Sequence, residues 1–207
     1  MQTSTGRLEI DKRFPKFALQ LTQSFNHLLG SDFSYSKVDF RITHEIKYLS
    51  GHETAFILQS GLVFGEAPLT HLYSIAPNNL NKDALLKRIT FAGKYSFETM
   101  FFNEFFSSRY VSLQARHTFN KVKIAYKIKP QISVVTRMAF GTMEHQEKHV
   151  GFAYKTLEDG YFESGVEFNQ IYKGLGFTFF TRYGAYGLPK FEDNLSLKVS
   201  YILDLGF

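Results

Sequence analysis

The 207 residues are enough for one domain with its own core, and the absence of cysteine excludes disulfides and thiolate-held metals. The net charge of +5 comes from scattered Lys and Arg, which argues for ordinary surface charge and against a nucleic-acid partner. Hydrophobic residues make up 44%, with 23 Phe, 12 Tyr and no Trp, yet no apolar run approaches the ~18–20 residues of a membrane helix. Membrane strands escape that test, because only alternate residues meet lipid. The opening MQTSTGRLEI lacks the basic-then-apolar pattern of a signal peptide, so the chain reads as a mature or truncated product, or as part of something longer.

In chain order, KFALQLTQSF (16–25) puts Phe17, Leu19, Leu21 and Phe25 on one face, and LLGSD (28–32) predicts a tight turn. KVDFRITHEIKY (37–48) sets Val38, Phe40, Ile42, Ile46 and Tyr48, with His44 among them, against Lys37, Asp39, Arg41, Thr43, Glu45 and Lys47. TAFILQSGLVF (54–64) offers Phe56, Leu58, Leu62 and Phe64. The segment 66–106 is too apolar for an idle loop, and NKDALLKRI (81–89) within it is the one candidate amphipathic helix. YVSLQARHTF (110–119) alternates Val111, Leu113, Ala115 and Phe119 with Ser112, Gln114, Arg116 and Thr118. After Pro130, Ile132, Val134, Met138 and Phe140 share a face. YFESGVEFNQ (161–170) sets Phe162, Val166 and Phe168 against Glu163, Gly165, Glu167 and Asn169. GLGFTFFTRYG (174–184) sets Leu175, Phe177, Phe179 and Tyr183 against Gly176, Thr178 and Arg182. In the terminal NLSLKVSYILDLGF (194–207), Leu195, Leu197, Val199, Tyr201, Leu203, Leu205 and Phe207 form one apolar row.

These periods predict an all-β chain of about eight antiparallel strands. Most reach the ~9–11 residues that a tilted strand needs to cross a bilayer, where soluble strands average ~5–6. Gly, Ser and Thr recur on the polar faces, as suits a crowded barrel lumen, and Tyr48, Tyr183 and Tyr201 suit interfacial girdles. Expected tight links at 28–32, 49–52 and 171–174 contrast with long ones at 66–106, 143–159 and 185–193, the loop asymmetry of outer-membrane barrels. The expectation is a transmembrane β-barrel over residues 1–207, with 66–106 folded into the lumen or capping the surface.

APLTHLYS (67–74), SFETMFFNEFFSSRYVSLQARHTF (96–119), GYFESGVEFNQIYK (160–173) and RYGAYGLPKFEDNLSLKVSYILDLGF (182–207) together resemble the C-terminal region of an uncharacterised Bacteroidota outer-membrane family. Those large barrels carry an N-terminal carboxypeptidase-regulatory-like domain. The order of strands and loops is more distantly similar to sixteen-stranded BamA/TamA-type barrels. The resemblance covers residues 55–207 and, more loosely, the first fifty. It implies that the chain is half of a barrel whose N-terminal part is its partner, and it places that superfamily's inward-folding loop within 66–106. It also implies insertion by the barrel-assembly machinery, with Tyr201, Leu203, Leu205 and Phe207 as a C-terminal assembly signal. The Arg-Gly-Tyr type tip motif of BamA-type loops is absent, which argues against an assembly role.

No nucleophile elbow, P-loop or His-Glu-x-x-His motif is present, so no catalytic residue, cofactor or metal is expected. His145 and His149 have metal-ligand spacing for a helix, but they fall in a polar loop without an evident third ligand. Glu163 and Glu167 share a face with Arg116, Arg137 and Arg182, which reads as a lumen charge network rather than an acid–base pair. Asn103, Glu104 and Arg109 are polar residues in an apolar loop and make the candidate functional group. The leading expectation is an integral barrel protein of structural or transport class in a bacterial outer membrane. A soluble or periplasmic eight-stranded barrel for an apolar ligand and an outer-membrane enzyme are the alternatives.

Overall fold

A computed structural model describes residues 2–3, 6–7, 14–27, 30–125, 128–151 and 153–202. The ribbon β1 (Gln2–Thr3) and β2 (Gly6–Arg7) stands apart from the main sheet. That sheet is built from eight long antiparallel strands: β3 (Lys16–Ser24), β4 (Tyr35–Lys47), β5 (Glu53–Gly65), β9 (Arg109–Thr118), β10 (Gln131–Thr142), β11 (Leu157–Tyr172), β12 (Leu175–Tyr183) and β13 (Leu195–Tyr201). Between β5 and β9 the chain forms β6 (Pro77–Asn79), β7 (Thr90–Phe91) and β8 (Phe97–Phe101). β6 pairs with β8, and β7 adds to the outer edge of β13, both in parallel.

Period two carries each expected face into the sheet, and the register aligns the faces across strands. Val134 lies opposite Val166, Val166 opposite Phe179, and Phe179 opposite Leu197. Phe168 stacks on Phe177 with ring centroids 4.9 Å apart. The apolar face is the exposed one: Leu19, Leu21, Phe177 and Val134 are 65%, 70%, 48% and 47% exposed. The polar face lies beneath residues 66–106, with Ser196, Lys198, Glu163 and Arg137 all buried. Lys173 and Gly174 both take positive φ, 48° and 85°, which is the two-residue turn that best matches strand twist between β11 and β12.

Two apolar clusters seat the inserted segment on the inner face. One joins Phe97, Met100 and Phe105 to Ala139, Leu157 and Tyr161 of the sheet. The other joins Ala67, Leu72 and Tyr73 to Tyr35 and Val63.

The structure corrects several expectations. The sheet is open, because among the described residues nothing pairs β3 with β13. Residues 81–89 hold a short 3-10 turn, Leu85–Arg88, in place of an amphipathic helix, since Arg88 is drawn inward while Leu86 points out. Of the expected tight turn at 28–32, residues 28 and 29 lie outside the described residues. The link from β3 to β4 is at the same end of the sheet as those from β5 to β9, β10 to β11 and β12 to β13, while the link from β9 to β10 joins the short links 48–52 and 173–174 at the other end. The final strand is described only to Tyr201, and Leu203, Leu205 and Phe207 lie outside the described residues.

Candidate functional site

The inner face of β9–β13 gathers charged side chains from neighbouring strands, because alternate residues of paired strands stack in one row. Arg137 donates from Nη1 to Glu163 Oε1 at 2.6 Å and from Nε to Gln114 Oε1 at 3.1 Å. The Glu163 carboxylate also accepts the backbone N–H of Glu98 and Thr99 at 3.0 and 2.9 Å, and the Thr99 hydroxyl at 2.6 Å. With its proton committed to Glu163, Thr99 Oγ1 accepts from the Tyr161 hydroxyl at 2.8 Å. Glu167 pairs with Arg116 and accepts from Asn169 Nδ2 at 3.1 Å, and Asn169 in turn accepts from Ser200 Oγ at 2.8 Å. Arg116 and Gln114 both donate to the Lys94 carbonyl, at 3.1 and 3.2 Å.

A second anchor lies on β13. Lys198 donates to Thr90 Oγ1 at 2.8 Å, to the Arg88 carbonyl at 3.1 Å and to Asn79 Oδ1 at 3.3 Å. Arg88 reaches Asp193 Oδ1 at 3.3 Å and the Glu192 carbonyl at 2.7 Å. Glu98 accepts from the Gly93 N–H at 2.9 Å, the Ser96 hydroxyl at 2.8 Å and Asn78 Nδ2 at 2.7 Å. Burial, more than any neighbour, pushes the Glu98 carboxyl above its ordinary 4.5.

The network is balanced. Arg88, Arg116, Arg137, Arg182 and Lys198 face Glu98, Glu104, Glu163, Glu167 and Asp193. Buried ions are tolerable only when paired and hydrogen-bonded, and removing one partner of such a pair costs about 3–5 kcal/mol. Four donors occupy Glu163, so its lone pairs are engaged in holding the segment rather than poised to accept a substrate proton.

The structure thus joins Arg116, Arg137, Glu163 and Glu167 in one cluster, and places Arg182 in another. Arg182 donates from Nη1 to both Glu104 oxygens at 3.1 and 2.9 Å, while Lys155 lies 3.5 Å from Oε1. Asn103 turns the chain at φ 60° and is exposed. Arg109 is separate from both, pairing with Glu144 near the surface. His145 lies 3.4 Å from Glu147 in an exposed pair, and among the described residues no three His, Asp or Glu side chains are grouped to hold a metal ion.

Sequence reasoning missed Glu98, Thr99, Asn79, Arg88 and Lys198 as members of the network. Three carried a signal: Lys198 is the one charged residue on β13, and Glu98–Thr99 is a polar pair inside the apolar SFETMFF. Arg88 and Asn79 carried none, because their charged partners, Asp193 and Lys198, lie more than a hundred residues away. No protein-family profile, curated protein or solved structure matches the chain.

Proposed function

We propose that the chain is the barrel region of an integral bacterial outer-membrane protein of structural or transport class, its eight long strands forming part of a larger barrel. The observation that carries this reading is the inverted burial of the sheet: Lys198 and Glu163 are 1% and 0% exposed, while the Phe177 and Leu19 rows face outward. Water-soluble proteins rarely expose an apolar face of this extent, whereas a lipid-facing barrel wall requires one. A soluble barrel for an apolar ligand would need the opposite sense, with its apolar rows inside.

The two sheet edges support membership of a larger barrel. Among the described residues, no strand pairs with the outer edge of β3, and β7 pairs with the β13 edge opposite Lys198 and Val199. Unpaired backbone groups cannot face hydrocarbon, so partner strands from the same protein would close the wall. Membership of the Bacteroidota family named above, and insertion by the barrel-assembly machinery, belong to this reading. The saturated hydrogen bonding of Glu163 favours a non-enzymatic role.

Fractionation of native cells tests the proposal. The protein should stay in the membrane pellet through carbonate and salt washes and come out only with detergent, at a mass well above 23.9 kDa. Release by carbonate would end the membrane reading, and a detergent-requiring band at 23.9 kDa would end the larger-barrel part of it.

A further inference from the structure

The connections 66–108, 143–156 and 184–194 meet at one end of the sheet and line an open cavity of about 880 Å³. Behind its wall lie two arginines, Arg88 and Arg182, only 1% and 2% exposed, with guanidinium carbons 5.7 and 5.1 Å from the centre of the Phe101 ring. Each spends part of its donor set on an acid, Arg88 on Asp193 and Arg182 on Glu104. Arg88 Nε, Arg182 Nε and Nη2 and the Tyr154 hydroxyl have no hydrogen-bond partner among the described residues. Buried donors almost always find acceptors, so four unspent ones around a single cavity are a surplus that calls for an acceptor from outside the chain.

Charge runs the same way. Lys82 and Lys190 are exposed on the lining, and Lys155 meets Glu104 only at 3.5 Å. Asp83 is the one lining acid besides the two that the arginines engage. The excess is therefore cationic, and guanidinium donors suit carboxylate or phosphate oxygens.

A bare anion would leave most of this volume unused, since pockets of ~300–1,000 Å³ take whole organic ligands. The rest of the wall offers the amides of Asn81 and Asn103 beside the aromatic surfaces of Phe102 and Tyr154. Amides match ring hydroxyls, and aromatic faces match the C–H side of a sugar ring. We propose that this cavity binds an acidic saccharide. Lys82 and Lys190 meet its carboxylate or phosphate first, the donors of Arg88, Arg182 and Tyr154 complete the anion's hydrogen bonds, and Asn81, Asn103 and Phe102 read the sugar. The assignment does not depend on the membrane reading.

Calorimetry on the full chain in detergent micelles tests it, with trigalacturonate and glucose 1,6-bisphosphate as acidic probes. Neutral maltotriose, inorganic phosphate and triglutamate serve as comparisons. At least one acidic sugar should bind, at least about tenfold more tightly than any comparison, and whichever binds identifies the anion as carboxylate or phosphate. The exposed pair Lys82→Glu with Lys190→Glu should weaken that binding by about tenfold or more, Lys82→Gln with Lys190→Gln by less, and Lys148→Glu not at all. The glutamine pair keeps the test usable if the charge-reversed protein misfolds. Absence of binding by both acidic sugars would overturn the assignment. So would maltotriose, phosphate or triglutamate binding as tightly, or unchanged affinity in folded lysine variants.

Discussion

The Thr99 hydroxyl donates to Glu163 Oε2 at 2.6 Å, a bond between residues sixty-four apart that ties the inserted segment to the middle of the sheet. The same carboxylate takes the two backbone N–H groups beside it and the Arg137 guanidinium. Glu163→Ala would leave Arg137 buried without this partner and should cost about 3–5 kcal/mol. Thr99→Val, which removes one donor and keeps the shape, should cost about 1–3 kcal/mol. Denaturant unfolding in detergent measures both. The alanine variant should also become protease-sensitive within 66–106, and an undisturbed segment would show that the clamp lies elsewhere.

Gly165 sits between Glu163 and Glu167 on the inner face, opposite Phe180. A Cβ there would stand 2.3 Å from the Phe179 carbonyl oxygen and 2.5 Å from the Phe180 ring. That ring is fully buried, and the Arg137 guanidinium lies 4.5 Å from its centre. The glycine therefore makes room for the aromatic platform on which the arginine rests. Gly165→Ala should destabilise by about 1–3 kcal/mol, as overpacking does, because the obstructing oxygen belongs to a paired strand. An unchanged unfolding midpoint would mean that β11 and β12 separate more readily than this register implies.

The strands are legible because a strand with one apolar and one polar face writes both into alternate residues, as Phe177, Phe179 and Tyr183 against Thr178 and Arg182 do. Which residues belonged to the polar face was equally plain, so Glu163, Glu167, Arg116 and Arg137 could be placed together. Their partners were not legible. Glu98, Thr99 and Arg88 lie in a segment without periodicity, and their positions follow from long-range closure rather than local pattern. Arg182 shares the inner face and lies opposite Glu163 across β11 and β12, but its ion-pair partner Glu104 arrives from the inserted segment, which the strand pattern does not contain. The Leu85–Arg88 turn likewise follows from the pull of Glu192 and Asp193 on Arg88, which local propensity does not contain.

Glu98 gives the network a pH dependence of known sign. Its carboxyl is raised above 4.5 chiefly by burial, against the opposing pull of Arg137, the Ser96 hydroxyl and the Gly93 N–H. A raised acid binds its proton more tightly in the folded than in the unfolded chain. Its contribution to stability is therefore full below 4.5 and is lost as pH rises through the raised value. The stability of the wild type minus that of Glu98→Gln should accordingly be level below 4.5 and fall as pH rises above it. Unfolding curves at several pH values measure this difference. A difference that rises with pH would reverse the assignment and make the Arg137 attraction the larger influence.

The sense of the two faces is best tested on β3, where Leu19 and Gln20 are neighbours on opposite sides of the sheet. Leu19 is 65% exposed on the apolar side, while Gln20 lies opposite Asp39 on the polar side. β13 is a poorer place for the comparison, although Val199 faces outward there. Ser200 is only 8% exposed, donates to Asn169, and lies where a Cβ on Gly176 would meet its hydroxyl at 2.5 Å, so an inward arginine would overpack whatever the environment. In a bilayer, Leu19→Arg should cost about 2–4 kcal/mol near the midplane. Gln20→Arg should cost little, since it gains an acidic neighbour across the strand pair. Both are read by denaturant unfolding after refolding into lipid vesicles. Equal costs would mean that Leu19 does not meet hydrocarbon, and a larger cost at Gln20 would turn the sheet inside out.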